Sequence, residues 1–263
     1  KETPGLILFT SGSTGEPKAV VHDFAKLLRK FDNPRPALRT LCFLQFDHWG
    51  GLNTLLHCLS SGSLIVFLQD RQPANICVLI EEHGLELLPT TPSFLNLLLL
   101  SRAHRERDLS SLKVISYGAE PMPKVTLERM SQEFPAVSMR QTYGMIEIGV
   151  LRAKSVSNES LWVKVGGDGY AWRIVDGILQ IKADSAMLGY LNADALFTED
   201  GYFITGDKVE QDGENLRFLG RASELINVGG ETVLPIEVEN VLLGHDAVAD
   251  AVVYGERNPV MGQ

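Results

Sequence analysis

From Leu41 to Phe134 the chain alternates short apolar, β-rich runs with helical runs of about ten residues, and that rhythm leaves few folds open. Strands are read at Leu41–Phe46, Leu64–Leu68, Leu85–Leu88 and Val114–Ser116. Helices are read between them at Leu52–Leu59, Ala74–His83 before the stop at Gly84, Pro92–Ser101 and Pro123–Phe134. Such alternation predicts an α/β domain on a parallel sheet covered by helices on both faces. Upstream, His22–Phe31 has helical apolar spacing at Phe24, Leu27, Leu28 and Phe31, and Pro34 and Pro36 end it. From Leu161 the texture changes to short strands with Gly and Asp turns: Trp162–Val165, Trp172–Val175, Ile178–Lys182, Tyr202–Ile204 and Leu216–Leu219. A small antiparallel barrel is expected there. A break near Gly220-Arg221 precedes the strand Ile226–Val228, a helix over Pro235–Leu243 and a strand over Ala249–Tyr254. The expected division is therefore an α/β core over 1–160, a β-barrel subdomain of the same domain over 161–220, and the start of a mobile lobe over 221–263.

The run Thr10-Ser-Gly-Ser-Thr-Gly-Glu-Pro-Lys18 lies between the apolar stretches Leu6–Phe9 and Ala19–Val21, where a solvent linker rarely sits. Its glycines let several backbone N–H groups face one anion, and its hydroxyls with the Lys18 ammonium add donors, so it suits phosphate. Lys18 follows Pro17 rather than the second glycine, so the Walker spacing of a hydrolysing P-loop protein is absent. The cradle reads as a strand-loop-strand nest.

Composition narrows the partners. The 263 residues carry a formal charge of -9, with no basic block to displace counterions from nucleic acid. Cys42, Cys58 and Cys77 are scattered in apolar surroundings without paired spacing, which fits small buried side chains and a reducing, cytoplasmic setting. No apolar run approaches the roughly 20 residues of a membrane helix. Both ends read as cut: the chain opens on Lys1 rather than Met, and Val252–Gln263 reads as a strand running into an unfinished loop. An excerpt of a longer protein, lacking an N-terminal portion, is expected.

Four further clusters punctuate the chain: Tyr117-Gly-Ala-Glu-Pro121, Gln141-Thr-Tyr-Gly-Met-Ile-Glu147, Thr205-Gly-Asp207, and Gly220-Arg221 followed by Ile226-Asn-Val-Gly-Gly230. Gly118–Pro121 follows an apolar strand, a place where open α/β sheets bind ligands. Glu147 can meet a hard cation, and Asp207 has two acceptor oxygens for a pair of hydroxyls. Seen alone, each also reads as an ordinary turn or a solvated charge. The histidines lack metal-ligand spacing.

In content and order, these clusters and the phosphate run resemble the adenylate-forming superfamily of acyl-CoA synthetases, luciferases and peptide-synthetase adenylation domains, over essentially the whole chain. The resemblance implies ATP and Mg²⁺, a carboxylic acid, and CoA as co-substrate, or else the phosphopantetheine thiol of a carrier protein. It implies that Thr10, Ser11, Gly12, Ser13, Thr14, Gly15 and Lys18 hold the β,γ-phosphates and that Glu147 holds the metal. Gly118, Ala119 and Glu120, with Gln141, Thr142, Tyr143 and Gly144, would line the adenine, and Asp207 with Arg221 would hold the ribose. Thr10, Lys18, Glu147 and His48 would carry the catalytic work.

His48-Trp-Gly-Gly-Leu-Asn53 resembles the acyl-pocket segment of acyl- and aryl-CoA ligases, with His48 at the entrance and Trp49 to Leu52 along the wall, Trp49 and Gly50 among them. Phe46-Asp47 can also be read as the pair by which amino-acid-activating relatives bind the amino group. Tyr117, where many relatives have glycine, would narrow the pocket and favour a small or flat acid. His22 matches a histidine common shortly after the phosphate loop. Two positions depart from the pattern: Ile146 stands where relatives carry Thr or Ser, and Ser223 stands at the hinge where Asp or Lys is usual. Asn227–Gly230 resembles the stretch that lines the pantetheine channel when the small lobe rotates. The lysine that contacts the substrate carboxylate and the α-phosphate would lie beyond Gln263. These departures leave room for a nucleotide-binding relative without catalysis.

Overall fold

The computed structural model describes residues 3–10, 16–151, 153–167, 169–245, 247–259 and 261–263. Strands β1 (Gly5–Thr10) and β2 (Lys18–Asp23) form an antiparallel hairpin in which Thr10 faces Lys18 across the ladder. The helix expected from His22 starts later, because β2 continues to Asp23, whose carboxylate then caps α1 (Phe24–Leu28) by accepting from Lys26 N. A 3-10 turn over Arg29–Phe31 completes that segment.

Next come β3 (Thr40–Cys42), α2 (Trp49–Ser61), β4 (Ile65–Phe67), α3 (Pro73–His83), β5 (Leu87–Thr90), α4 (Pro92–Ser101), β6 (Val114–Tyr117), α5 (Lys124–Glu133) and β7 (Ser138–Gln141). Pro73 and Pro92 open α3 and α4 at positions where no N–H is needed, and Gly84 ends α3 with a left-handed φ of 55°. The strands form a parallel sheet in the order β4-β3-β5-β6-β7. Chain direction across the sheet reverses at β3, leaving a crevice beyond the carboxyl ends of β3 and β5.

The helices divide unequally between the faces of this sheet. Ile76, Cys77 and Ile80 of α3, Phe94, Leu95 and Leu98 of α4, and Leu127 and Met130 of α5 pack with Ile115, Tyr117 and Met139 in one core that contains no α2 side chain. These three helices thus cover the sheet together, while α2 packs against β3 outside that core.

Glu86 joins three neighbouring segments: it accepts from Arg39 N at 2.9 Å and pairs with Lys113 at 2.5 Å. The Arg39 amide first, then Lys113, hold its carboxyl near about 2 against an ordinary 4.5. A carboxyl depressed on folding stabilises above its unfolded value and loses that contribution as pH falls through its folded value. Glu86→Gln is expected to lower the urea midpoint at pH 7, and the gap from the parent protein should shrink steadily as pH falls from 4.5 towards 2.

Beyond β7, the small hairpin β8 (Gly144–Met145) and β9 (Gly149–Val150) leads to β10 (Ala153–Ser155), β11 (Val163–Val165), β12 (Tyr170–Val175), β13 (Ile178–Ala183), β14 (Gly189–Tyr190), β15 (Phe203–Asp212) and β16 (Asn215–Arg221). Six of them form the antiparallel sheet β10-β11-β16-β15-β13-β12, which closes over its own core of Val163, Leu179, Ile181, Phe203 and Leu216. β14 leaves that sheet to pair with β2, setting Tyr190 opposite Val20. The chain continues through β17 (Ile226–Val228), β18 (Glu231–Val233) and α6 (Pro235–Leu243). Ala249–Tyr254, expected as a strand, is irregular, with Val252 and Tyr254 exposed and no β-partner among the described residues.

Candidate functional site

A cavity of about 1380 Å³ lies where the parallel sheet, the β1–β2 hairpin and the antiparallel sheet meet. Strand parity decides what reaches it. Val114, Ser116 and Gly118 line it, while Ile115 and Tyr117 point into the α3–α5 core. Tyr117, expected in the acyl pocket, is 1% exposed and lies on the core side of the sheet; burial pushes its phenol well up. At Gly118 a Cβ would stand 2.4 Å from Thr142 Oγ1 and 2.7 Å from Thr142 O, so only glycine lets the ends of β6 and β7 close on each other. Ala119 follows with φ of 70°, an uncommon value for a residue with a Cβ, at the lip of the cavity.

At one end of the cavity a chain of contacts runs along the wall. Thr10 and Lys18 line it from the hairpin, and Lys18 Nζ lies 5.4 Å from the Tyr190 ring centre. The Tyr190 hydroxyl donates to Glu147 Oε1 at 2.7 Å, and burial, then Glu147, raises its pKa. Four residues before Glu147, Tyr143 stacks on Phe218 at 4.2 Å and donates its hydroxyl to Asp207 Oδ2 at 2.6 Å. Asp207 Oδ1 receives Arg221 Nε at 2.8 Å. Burial raises the Asp207 carboxyl, offset by Arg221 and Tyr143, while burial and then Asp207 hold the Tyr143 phenol well above its ordinary range. Tyr143, Glu147, Tyr190 and Arg221 all line the cavity, with Asp207 held directly behind two of them.

Other expected positions fall into place around this chain. Gly118, Ala119, Thr142 and Gly144 are on the wall. Gln141 is buried with its backbone N–H on Ser155 Oγ, and Glu120 accepts from Ser93 N and Oγ, so neither side chain lines the cavity. Ser11, Gly12, Ser13, Thr14 and Gly15 lie outside the described residues. Ile146 lines the cavity while packing against Leu8, Leu27 and Trp49. Its carbonyl meets Nε2 of the fully buried His22 at 2.6 Å, and the His22 ring lies parallel to Trp49 at 5.9 Å. Burial lowers the His22 pKa, so the ring is neutral at pH 7 and Nε2–H donates.

Along α2, His48, Trp49 and Gly50 line the cavity and are followed on the same face by Asn53, Thr54, His57, Cys58 and Ser61. The His48 side chain is 60% exposed, at the mouth. Asp47, 70% exposed, is not on the wall, which removes geometric support for an amino-group clamp at Phe46-Asp47.

Sequence reasoning missed Tyr190, Phe218 and the far α2 face. Tyr190 reaches Lys18 only through the β14–β2 pairing, a contact more than 170 residues apart that no local pattern announces. The Glu147 carboxylate, on the cavity wall and bonded to the Tyr190 hydroxyl, offers the hard oxygen donors by which a divalent cation would be held. Among the described residues no group of three or more acidic, His or Cys side chains forms an all-protein metal cage, and no helix is long and apolar enough to cross a membrane.

The family described as AMP-binding enzyme matches residues 1–178. Among curated relatives, 4-coumarate–CoA ligase 5 of Oryza sativa subsp. japonica is 30% identical over 290 aligned residues, spanning 97% of this chain and 54% of the relative. A 3-[(3aS,4S,7aS)-7a-methyl-1,5-dioxo-octahydro-1H-inden-4-yl]propanoyl:CoA ligase of Mycobacterium tuberculosis is 31% identical, over 98% of this chain and 54% of its own length. The solved o-succinylbenzoate CoA synthetase from Bacillus subtilis, in complex with its acyl-adenylate intermediate, aligns with a TM-score of 0.77 at 27% identity, covering 97% of this chain and 57% of that one. The chain thus spans about half the length of the curated relatives it matches.

Proposed function

Because this chain belongs to the AMP-binding enzyme family, we propose that the protein activates a carboxylic acid with ATP and passes the acyl group to a thiol, that of CoA. A carboxylate oxygen attacks the α-phosphorus, the bond from that phosphorus to the bridging oxygen of the pyrophosphate breaks, and acyl-AMP and pyrophosphate result. The thiol sulfur then attacks the acyl carbon, and AMP leaves. The supporting observation is that two sets of contacts, Lys18–Tyr190–Glu147 and Tyr143–Asp207–Arg221, border one cavity, with α2 leading away from it.

In this reading the side chains do little covalent chemistry, and positioning and charge neutralisation carry the first step. Thr10 and Lys18 hold the β,γ-phosphates and stabilise the departing pyrophosphate. Gly118 and Ala119 give backbone contacts to the adenine, against which Tyr143 lies. Asp207 and Arg221 take the ribose hydroxyls, while Glu120, Gln141 and Thr142 brace the loops. Trp49 and Gly50 border the acid, and His48 stands at its entrance. Glu147 would hold Mg²⁺, which when bound would neutralise phosphate charge. Ile146 offers no hydroxyl to the α-phosphate, so the hairpin supplies the donors there. Residues 221–263 are proposed as the start of a lobe that reorients between the two half-reactions, following the core at 1–160 and the barrel at 161–220. A cytoplasmic setting is proposed with this.

ATP–pyrophosphate exchange by the full-length protein across a panel of aryl and alkyl carboxylates and amino acids tests the reading. Exchange with simple carboxylates followed by a CoA thioester in mass spectra is expected. Exchange with amino acids alone, or acyl transfer only to a carrier protein, would move the reading to carrier loading, and nucleotide binding without exchange would make the protein non-catalytic. Glu147→Gln is expected to slow exchange about ten- to a hundredfold, the worth of one lost charge-assisted contact, and to shift the Mg²⁺ requirement upward.

A further inference from the structure

Two residues of opposite charge share the wall of the cavity, Lys18 at the start of β2 and Glu147 between β8 and β9. Opposite charges that meet directly satisfy each other and leave little for a ligand. Here each of them meets Tyr190. The Lys18 ammonium lies 5.4 Å from the centre of its ring, and Glu147 Oε1 accepts from its hydroxyl at 2.7 Å. A tyrosine suits both ends, since its ring face attracts a cation and its phenol proton attracts an anion. Burial first, then the bond to Glu147, keep the phenol protonated well beyond neutral pH, so it serves Glu147 as a donor. With Oε1 committed in this way the carboxylate is held in one orientation, and Oε2 remains for a cation.

The segment that carries Tyr190 also holds the backbone beneath both charges. On the Glu147 side, Met187 N donates to Glu147 O at 2.7 Å and Ser185 Oγ donates to Ile148 O at 2.8 Å. On the Lys18 side, Leu191 N donates to Ala19 O at 2.9 Å. Asn192 then clasps the chain on either side of Lys18: its Oδ1 accepts from Ala19 N at 2.9 Å and its Nδ2 donates to Pro17 O at 2.9 Å. β14 is only two residues long, so these bonds carry its hold on β2 to the end of the phosphate run. Packing alone asks for neither side chain. Tyr190 borders the barrel core, where phenylalanine would fill the same space, and Asn192 is exposed.

Resting on the adenylation reading above, we propose that the strap 185–192 positions the two charged groups that meet the triphosphate. Tyr190 orients the Glu147 carboxylate for the metal, and Asn192 fixes Lys18 at the exit of the phosphate run. Both are positioning residues, each acting through its neighbour. Because one serves the metal and the other the phosphates, their losses separate.

Calorimetry on the full-length protein with ATP, once in EDTA and once with Mg²⁺, tests this through binding alone. The parent protein is expected to bind ATP about tenfold tighter with Mg²⁺, or better. Tyr190→Phe keeps the ring beside Lys18 and removes only the hydroxyl. It should lose most of the Mg²⁺ gain, a fall of about five- to tenfold, while metal-free affinity stays within about twofold of the parent. Asn192→Ala should do the reverse, weakening metal-free binding about three- to tenfold and leaving the Mg²⁺ gain as in the parent. A Mg²⁺ gain absent from the parent or kept in full by Tyr190→Phe overturns the proposal. So does metal-free binding untouched by Asn192→Ala, or a loss that falls alike on both quantities in the two variants. Any of these leaves adenylation standing as long as the parent binds ATP. If the parent fails to bind ATP, the adenylation reading falls and the proposal falls with it.

Discussion

Replacing Asp207 by alanine is expected to weaken ATP binding by about two orders of magnitude or more, measured by calorimetry. Asp207 receives Tyr143 Oη on one oxygen at 2.6 Å and Arg221 Nε on the other at 2.8 Å, and each oxygen retains a lone pair for a ribose hydroxyl. Each charge-assisted hydrogen bond is worth about 1.5–3 kcal/mol, so losing the pair to the sugar costs about 3 kcal/mol or more. The alanine variant also leaves the Tyr143 hydroxyl and Arg221 without their acceptor, which loosens the Tyr143 ring against Phe218. Tyr143→Phe separates the two contributions: it keeps the carboxylate and the stacked ring, and its loss should stay near about tenfold. Equal losses in the two variants would mean that Asp207 acts only by holding Tyr143.

The second large effect concerns the fold under the acid-binding end. Gly51→Ala is expected to destabilise the protein by about 3 kcal/mol or more in urea titrations, a substantial share of the about 5–15 kcal/mol that holds a typical domain together. A Cβ at Gly51 would stand 2.0 Å from Gln45 O and 2.7 Å from Leu44 O, both backbone atoms of the turn that joins β3 to α2. Relief requires moving that turn and the helix apart, and with them the Leu44, Trp49 and Gly50 wall of the cavity. The neighbouring Gly50→Ala makes the contrast. Its Cβ meets only the Leu44 Cδ1 methyl at 2.9 Å, which can rotate away, while the helix gains about 1 kcal/mol from alanine, so stability should change little.

Much of this architecture could be read from local chemistry. Pro92–Ser101 and Pro235–Leu243 match the expected helices to the residue, because proline at the first helical position marks the start. β3 was shorter than the apolar run Leu41–Phe46 suggested, since Phe43 to Gln45 are spent on the turn that Gly51 abuts. β7, with Arg140 and Gln141, carries too many polar side chains to read as a strand, and its identity comes from pairing with β6. Thr10, Lys18, Tyr143, Glu147 and Arg221 could be singled out from their motifs, and they meet at one cavity. Tyr117 could not be placed by motif, although parity could have placed it: with Gly118 at the cavity, the preceding strand residue must face the core. Lys30, Asn53 and His57 converge only through tertiary packing, so no spacing rule could have joined them.

The central claim is that ATP lies along this one cavity, phosphates at the β1–β2 hairpin and ribose at Asp207. A crystal structure of the full-length protein with ATP and Mg²⁺ tests it most directly. The account predicts triphosphate density beside Thr10 and Lys18, the metal on Glu147, and both ribose hydroxyls on Asp207. Nucleotide density elsewhere, or a ribose turned away from Asp207 with the Tyr143 contact unchanged, would contradict it.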